Sequence, residues 1–507
     1  MSGAPAVTPA AAAPPARPGL ILAATILGSA VVFIDSTVVN VALPALRADL
    51  HATLAEQQWV VEAYLLMLGS LVLVGGSLGD LYGRRRIFTL GLAGFGVASA
   101  LCAVAPGATL LVAARALQGI AGALLVPSSL AILTTTFPPA RRSAAVGTWT
   151  AWTSAMIAFG PPLGGLLVDV ASWRAVFALN LPLIAACLLL TARALPDDRP
   201  SRDVALAAGR RPRRIDLVGA VLCALGLGGP VYALTREPAL GWGAPGVAVP
   251  LAAGLVLLAA FLAWEARHPD PMLPLGVFRA RTVAIANAAT LLIYAALGAA
   301  TFLLALFLQQ VAGWSALEAG LALTPLSLMM IALSARFARM AQRIGPRAVM
   351  GAGPLVAGAG LLLMRRIGAD AAYLADVLPA VTLFGLGMAM TVAPLTATVL
   401  AGAEARHAGI ASGVNNAVAR VAGLLAIAGV GAIVAATYAH ELQRRLPHVT
   451  GGALEAARRR PFVPIPGHEA AADAASVAAL HRGMTVAGAL MIAAGILSLV
   501  GLRDPDA

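Results

Sequence analysis

Residues 57–88 read QQWVVEAYLLMLGSLVLVGGSLGDLYGRRRIF. An apolar run from Trp59 to Leu78 enters Gly76-x-x-x-Asp80, then a turn at Gly83 and the cluster Arg84-Arg85-Arg86. About 20 apolar residues cross the hydrocarbon core of a bilayer, so this run predicts a membrane-spanning helix. Arginine collects in cytoplasmic loops, which places the turn inside the cell. A weaker copy follows at Gln342-Arg343-Ile344-Gly345-Pro346-Arg347. A motif that recurs once in each half is the mark of a duplicated transporter.

The remainder of the chain has the same character. Of its 507 residues 60% are hydrophobic and 11% charged, and the mean hydropathy is +0.86. That composition belongs to a membrane protein, not to two or three soluble domains. All 35 basic residues are arginine. A chain without lysine cannot supply the P-loop lysine that grips nucleotide phosphates, so neither direct ATP drive nor a cofactor is expected. The net charge of +12 reads as membrane orientation, not nucleic-acid binding. Cys102, Cys187 and Cys223 stand singly in apolar runs and act as small hydrophobes. The seven histidines are scattered without an HExxH pattern, so no metal site is expected. No nucleophile–base cluster points to an enzyme.

The apolar runs predict an all-α integral membrane protein of fourteen spans: 19–44, 57–79, 87–106, 109–133, 146–168, 173–194, 215–235, 247–265, 281–309, 316–338, 347–365, 371–397, 409–438 and 480–502. An even number leaves both termini on one side. With that side cytoplasmic, its segments hold 22 arginines against five in the short outer loops. The positive-inside rule therefore puts both termini in the cytoplasm. The expected organisation is a disordered tail over 1–18, a six-helix bundle over 19–194, and a linker with two extra helices over 195–280. A second six-helix bundle covers 281–502, with a long outer loop at 439–480, and a short tail ends the chain at 503–507.

Several strings now carry a resemblance. FIDSTVVNVALPAL (33–46), WVVEAYLL (59–66), GSLGDLYGRRR (76–86), RALQGIAGA (115–123), GPPLGG (160–165), WRAVFALNLP (173–182) and GVNNAVARVAG (413–423) run nearly end to end. Together the chain resembles the fourteen-helix drug:proton antiporters of the major facilitator superfamily. The resemblance implies proton-driven efflux of amphiphilic or cationic small molecules by alternating access between the two bundles. Such a protein sits in the bacterial cytoplasmic membrane, has protons, lipid and a small molecule as partners, and is expected to be monomeric. Export of an endogenous metabolite or lipid is the alternative of the same class, and a membrane-embedded enzyme or a non-transporting sensor is the rival of another class.

The candidate residues follow. Asp35 lies about 24 Å along the first span, where a carboxylate costs roughly 2.5–3.5 kcal/mol and marks a cavity or pathway. Arg115, mid-span in the fourth, needs an anionic partner, and Asp35 is the obvious one; the family resemblance makes the two the coupling pair. Gln118 shares the Arg115 face. Glu62 either snorkels to the outer interface or adds a second proton or cation site. Asn40, Asn415, Asn416 and Arg420 are polar residues at membrane depth, read as cavity wall or as helix–helix contacts. Gly76, Asp80, Gly83, Arg84 and Arg85, with Arg343, Gly345 and Arg347 in the second copy, resemble the family's cytoplasmic gate. Leu81 stands where the family has arginine, and Gln342 where it has aspartate. Gly160, Pro161, Pro162, Gly164 and Gly165 form the antiporter string, whose small residues allow close helix approach. Met156 replaces a further glycine of that pattern.

Overall fold

The computed structural model describes residues 17–195, 215–402, 408–447 and 461–502, with some further side chains in the helices left out. Both expected tails (apart from residues 17 and 18), nearly all of 195–214 and the middle of the 439–480 loop lie outside the described residues. So does the side chain of Asp80.

The fold is all-α. In chain order the spans are α1 Pro18–Leu50, α2 Leu54–Tyr82, α3 Arg84–Ala103, α4 Ala108–Thr136, α5 Pro139–Val170, α6 Trp173–Ala194, α7 Leu217–Leu240, α8 Pro245–Glu265, α9 Arg281–Gln310, α10 Ala316–Ile344, α11 Pro346–Leu363, α12 Leu378–Gly402, α13 Ala408–Arg445 and α14 Glu469–Gly501. Thirteen stretches among the described residues are long and apolar enough to cross a membrane, and α5 adds the apolar segment Phe159–Val170. Each of the fourteen predicted spans thus falls on one helix. The ends differ from expectation because the helices continue past the apolar runs into polar sequence: α1 runs on to Leu50 and α13 to Arg445, and α14 starts as early as Glu469. The expected 439–480 loop is correspondingly shorter.

Local chemistry sets the turns, and it does so twice. Thr53 caps α2 in a reciprocal box with Glu56, and Ser315 caps α10 in the same box with Glu318. The helices those boxes start end at Gly83 (φ 98°) and Gly345 (φ 89°). A positive φ suits glycine alone at no steric cost. Thr53 and Gly83 stand thirty positions apart, and so do Ser315 and Gly345. The weak sequence repeat is therefore a structural one.

The helices α1–α6 pack among themselves and so do α9–α14, while α7 and α8 pair with each other and α7 leans on α2 and α13. Consecutive helices alternate direction, so one end of the molecule carries Leu50 and Leu54 and the other carries Tyr82 and Arg84. The two groups of six share one apolar core at the Leu50 end, where Leu43, Leu46, Leu54 and Phe177 join Phe302, Phe307, Leu323 and Phe462. Toward the Arg84 end the first group has its own core, around Ile21, Phe88, Phe95, Leu133, Phe137 and Trp149, which among the described residues holds none of the second group.

Candidate functional site

Asp35 is enclosed by three neighbouring helices of the first group. Its Oδ2 accepts from Arg115 Nη1 of α4 at 2.5 Å. Its Oδ1 accepts from Gln118 Nε2 at 2.8 Å and from Asn180 Nδ2 of α6 at 2.9 Å. Gln118 and Asn180 both also donate to Ser99 Oγ of α3, at 2.9 and 3.2 Å. Arg115 sends Nη1 to Gln118 Oε1 (2.6 Å) and Nε to the Val60 carbonyl (2.9 Å), and its guanidinium lies 4.1 Å from the Tyr64 ring centroid. Tyr64 in turn donates to the Val32 carbonyl at 3.1 Å. All five polar side chains are 0–1% exposed. The carboxylate takes three donors, and the cation has a counter-charge, two carbonyl-type acceptors and an aromatic face, while Asn180 Oδ1 is buried without a partner among the described residues.

The sequence placed Asp35, Arg115 and Gln118 together. It placed Asp35 on a cavity, whereas the side chain is sealed inside the first group. The face of α1 that remains partly open carries Phe33, Ser36, Thr37 and Asn40 instead. Asn180 and Ser99 were missed. Asn180 sits in the quoted string WRAVFALNLP, so an amide inside an apolar run was the available signal; a lone serine in α3 gave none.

Glu62 is fully buried, not at the outer interface. It stands apart from the Asp35 network and faces α7, where Thr235 Oγ1 lies 3.3 Å from Glu62 Oε2. That hydroxyl has one proton and a shorter bond, 2.8 Å, to the Val231 carbonyl. Oε1 of Glu62 has no hydrogen-bond partner among the described residues. Of the other polar candidates, Asn415 bonds α13 to α9 through Thr290 (2.6 Å) and Asn287 (3.2 Å). Asn416 is exposed, and Arg420 stacks 5.4 Å from the Phe33 ring on the partly open face of α1. Asn40 Oδ1 is buried without a partner.

The glycine string joins the two groups. A Cβ on Gly164 would lie 2.5 Å from Val38 Cγ2 and 2.8 Å from the Val38 carbonyl of α1, and one on Gly160 would strike Thr37. One on Gly165 would strike the Ala316 backbone of α10, and one on Gly320 would strike the Pro161 carbonyl in return. Asp169 then accepts from the first amides of α10, Ala316 N at 3.2 Å and Leu317 N at 2.9 Å, where a helix N-terminus favours an anion. Pro162 shares the tight turn of α5 that faces Gly320. Near the end of α2, Gly76 has ordinary room for a Cβ, 3.6 Å from Pro127, and it is Gly75 that α4 crowds. Arg347 Nε donates to the Leu499 carbonyl at 2.6 Å, tying the second copy to the end of α14. Arg84 and Arg85 are partly buried, and Arg343 is exposed.

The sequence pattern of the Major Facilitator Superfamily matches residues 25–427. The chain belongs to that superfamily. It is a multi-pass membrane transporter. The superfamily relatives it is similar to include the tetracenomycin C resistance and export protein of Streptomyces glaucescens, 33% identical over 97% of this chain and 93% of that one. The puromycin resistance protein pur8 of Streptomyces alboniger is 38% identical over 81% and 79%. The cephamycin export protein CmcT of Amycolatopsis lactamdurans is 37% identical over 82% and 84%. Among solved superfamily-like folds, a bacterial homologue of the human lysosomal transporter Spinster superposes with a TM-score of 0.64 at 16% identity, covering 96% of this chain and 97% of that one. That likeness concerns the fold alone.

Proposed function

We propose that this transporter exports amphiphilic or cationic small molecules from the bacterial cytoplasm in exchange for protons. It works by alternating access between two six-helix units, 19–194 and 281–502, as a monomer with both termini cytoplasmic and without a cofactor. The observation that carries the reading is the sealed Asp35–Arg115 pair. An ion pair at membrane depth is stable while both partners stay together, and removal of either leaves an uncompensated charge that costs several kcal/mol. A movement that draws Arg115 away therefore makes Asp35 take up a proton, and its return expels that proton. Three of the donors to Asp35 come from α4 and α6, so a shift of those helices is felt at the carboxylate.

Glu62 is the accessory acid in this scheme. It is buried, with one oxygen unserved, so a proton or a cationic group satisfies what the protein does not. Asn40, Asn415, Asn416 and Arg420 form the polar wall toward the space between the units. Asp80, Gly83, Arg84 and Arg85, with Arg343, Gly345 and Arg347, latch the cytoplasmic side. The arginine distribution makes the Arg84 end cytoplasmic, and the shared core at the Leu50 end then corresponds to an inward-open form.

A second reading has an observation of its own. Relatives at 33–38% identity are named for tetracenomycin, puromycin and cephamycin, which favours one antibiotic-like metabolite as cargo. Uptake into everted vesicles under an imposed pH gradient tests both. Accumulation of several unrelated cations supports the broad exporter, accumulation of a single antibiotic supports the second, and gradient-independent movement overturns the proton coupling of each.

A further inference from the structure

The short ends of α7 and α8 meet at two acids that the transport scheme does not use. Asp216 caps α7 and is 5% exposed, and Glu265 closes α8 and is 2% exposed. Each carboxylate has one oxygen fully engaged. Asp216 Oδ1 accepts from Gly219 N at 2.7 Å and from Trp264 Nε1 at 2.9 Å. Glu265 Oε2 accepts from Leu273 N at 2.8 Å. The other oxygens, Asp216 Oδ2 and Glu265 Oε1, are buried and have no hydrogen-bond partner among the described residues. They face each other: a Cβ on Gly219 would lie 2.5 Å from the first and 2.6 Å from the second. Glycine at 219 thus leaves room for the two oxygens where a side chain would crowd both.

His268 does not fill the gap. Its Nδ1 stands 4.0 Å from Asp216 Oδ2, and that nitrogen already accepts from Asp270 N at 3.2 Å. An imidazole nitrogen that accepts has no proton to give. The other groups nearby do not help either. Arg267 is exposed and turns back to the Ala263 carbonyl, and Cys223 is a buried thiol one turn further along α7. From α2 the acid that faces α7 is Glu62, at the far end beside Thr235. Arg420 of α13 turns to Phe33.

We propose that Asp216 and Glu265 bind one proton between them, forming a proton site outside the translocation pathway. Two facing acceptors without a donor are costly, and one proton turns one acid into the donor that the other lacks. The site then holds the connector as well. Glu265 Oε2 anchors Leu273 N, and the turn Leu275–Arg279 follows directly before α9. With the proton present, the α7 start, the α8 end and the approach to α9 are one unit. Loss of the proton as pH rises sets two buried anions against each other and releases that connection. The clasp is therefore complete at lower pH and opens at higher pH on the Arg84 side.

The test uses the full-length protein in lipid nanodiscs and does not depend on transport. Infrared spectra of the wild type, Asp216→Asn, Glu265→Gln and the double variant report protonated carboxyl groups. Each amide supplies the missing donor, so the variants keep their fold. The expected result is that either single change removes the same one protonated carboxyl per chain and that the double variant removes no more. Loss in Glu265→Gln but not in Asp216→Asn, or loss in neither, overturns the shared proton. A second readout is the melting midpoint against pH. The wild type should fall relative to Glu265→Gln as the buffer becomes alkaline, and parallel curves overturn the clasp. If sodium or calcium at neutral pH removes the carboxyl signal and raises the midpoint, the site is a cation site and the proposal fails.

Discussion

Arg115 Nη1 lies 2.5 Å from Asp35 Oδ2, and the two side chains are 1% and 0% exposed. The pair joins residues 80 positions apart in the chain. Around it, Gln118 and Asn180 donate to the other carboxylate oxygen, and Ser99 accepts from both. This arrangement is stable only while every member stays in place, which is what makes it responsive to helix movement.

Asp35→Asn should abolish uphill export by at least about tenfold while downhill counterflow remains. Asparagine keeps an acceptor for Gln118 and Asn180, and Arg115 retains the Val60 carbonyl, Gln118 Oε1 and the Tyr64 face. Losing one partner of a buried pair costs roughly 3–5 kcal/mol, so thermal stability should fall as well. Efflux in reconstituted vesicles with and without a pH gradient separates the two effects. Concentrative export by this variant would move the coupling role away from Asp35.

Arg115→Lys should be as inactive as Asp35→Asn. An ammonium cannot serve Asp35, Gln118 and Val60 in the planar directions that the guanidinium does. Asn180→Leu, by contrast, removes one of three donors to the carboxylate and should weaken coupling without abolishing it. The measure is the pH gradient needed for half-maximal export; equal behaviour of the two variants would refute this ranking.

Gly164→Leu and Gly165→Leu should fail differently. Gly164 meets Val38 within the first group, and Gly165 meets α10 of the second. The first change should lower export and also the melting midpoint. The second should leave the first group packed but keep α5 and α10 from closing at the Leu50 end. Cysteines placed near Asp169 and Leu317 then cross-link poorly in Gly165→Leu and normally in Gly164→Leu. The same cross-linking yield in both would show that the glycines do not divide the work in this way.

Cysteine labelling from outside intact cells should reach Ala470→Cys and miss Arg86→Cys. Both positions are exposed, at opposite ends of the helices. The opposite pattern would invert the topology and with it the assignment of the Arg84 end to the cytoplasm.

Glu62→Gln should reduce export of cationic substrates more than of neutral ones. The carboxylate has a single long contact, to Thr235, and one unserved oxygen. An amide keeps the shape and removes the charge. Equal loss for charged and neutral substrates would make Glu62 a proton site only.

The sequence by itself determined where the chain crosses the membrane and where it turns. Each span is set by the local cost of placing polar backbone and side chains in hydrocarbon, which any window of about twenty residues already contains. The positive-φ turn at Gly83 and its copy at Gly345 were readable for the same reason, since glycine between an apolar run and arginines is a local signal. Asp35 and Arg115 could be paired because each is a charge with too few alternatives. Only the tertiary structure decided that Asp35 is sealed and not cavity-lining, that Asn180 completes its shell from 145 residues away, and that Glu62 turns to α7. It also decided that Gly75 and not Gly76 is the crowded glycine, and that Gly165 meets α10. In a bilayer, helices gain little from burying apolar surface against one another, because lipid is equally apolar. Which faces touch is then settled by shape and by a few polar contacts between distant residues, and neither is written in any single span.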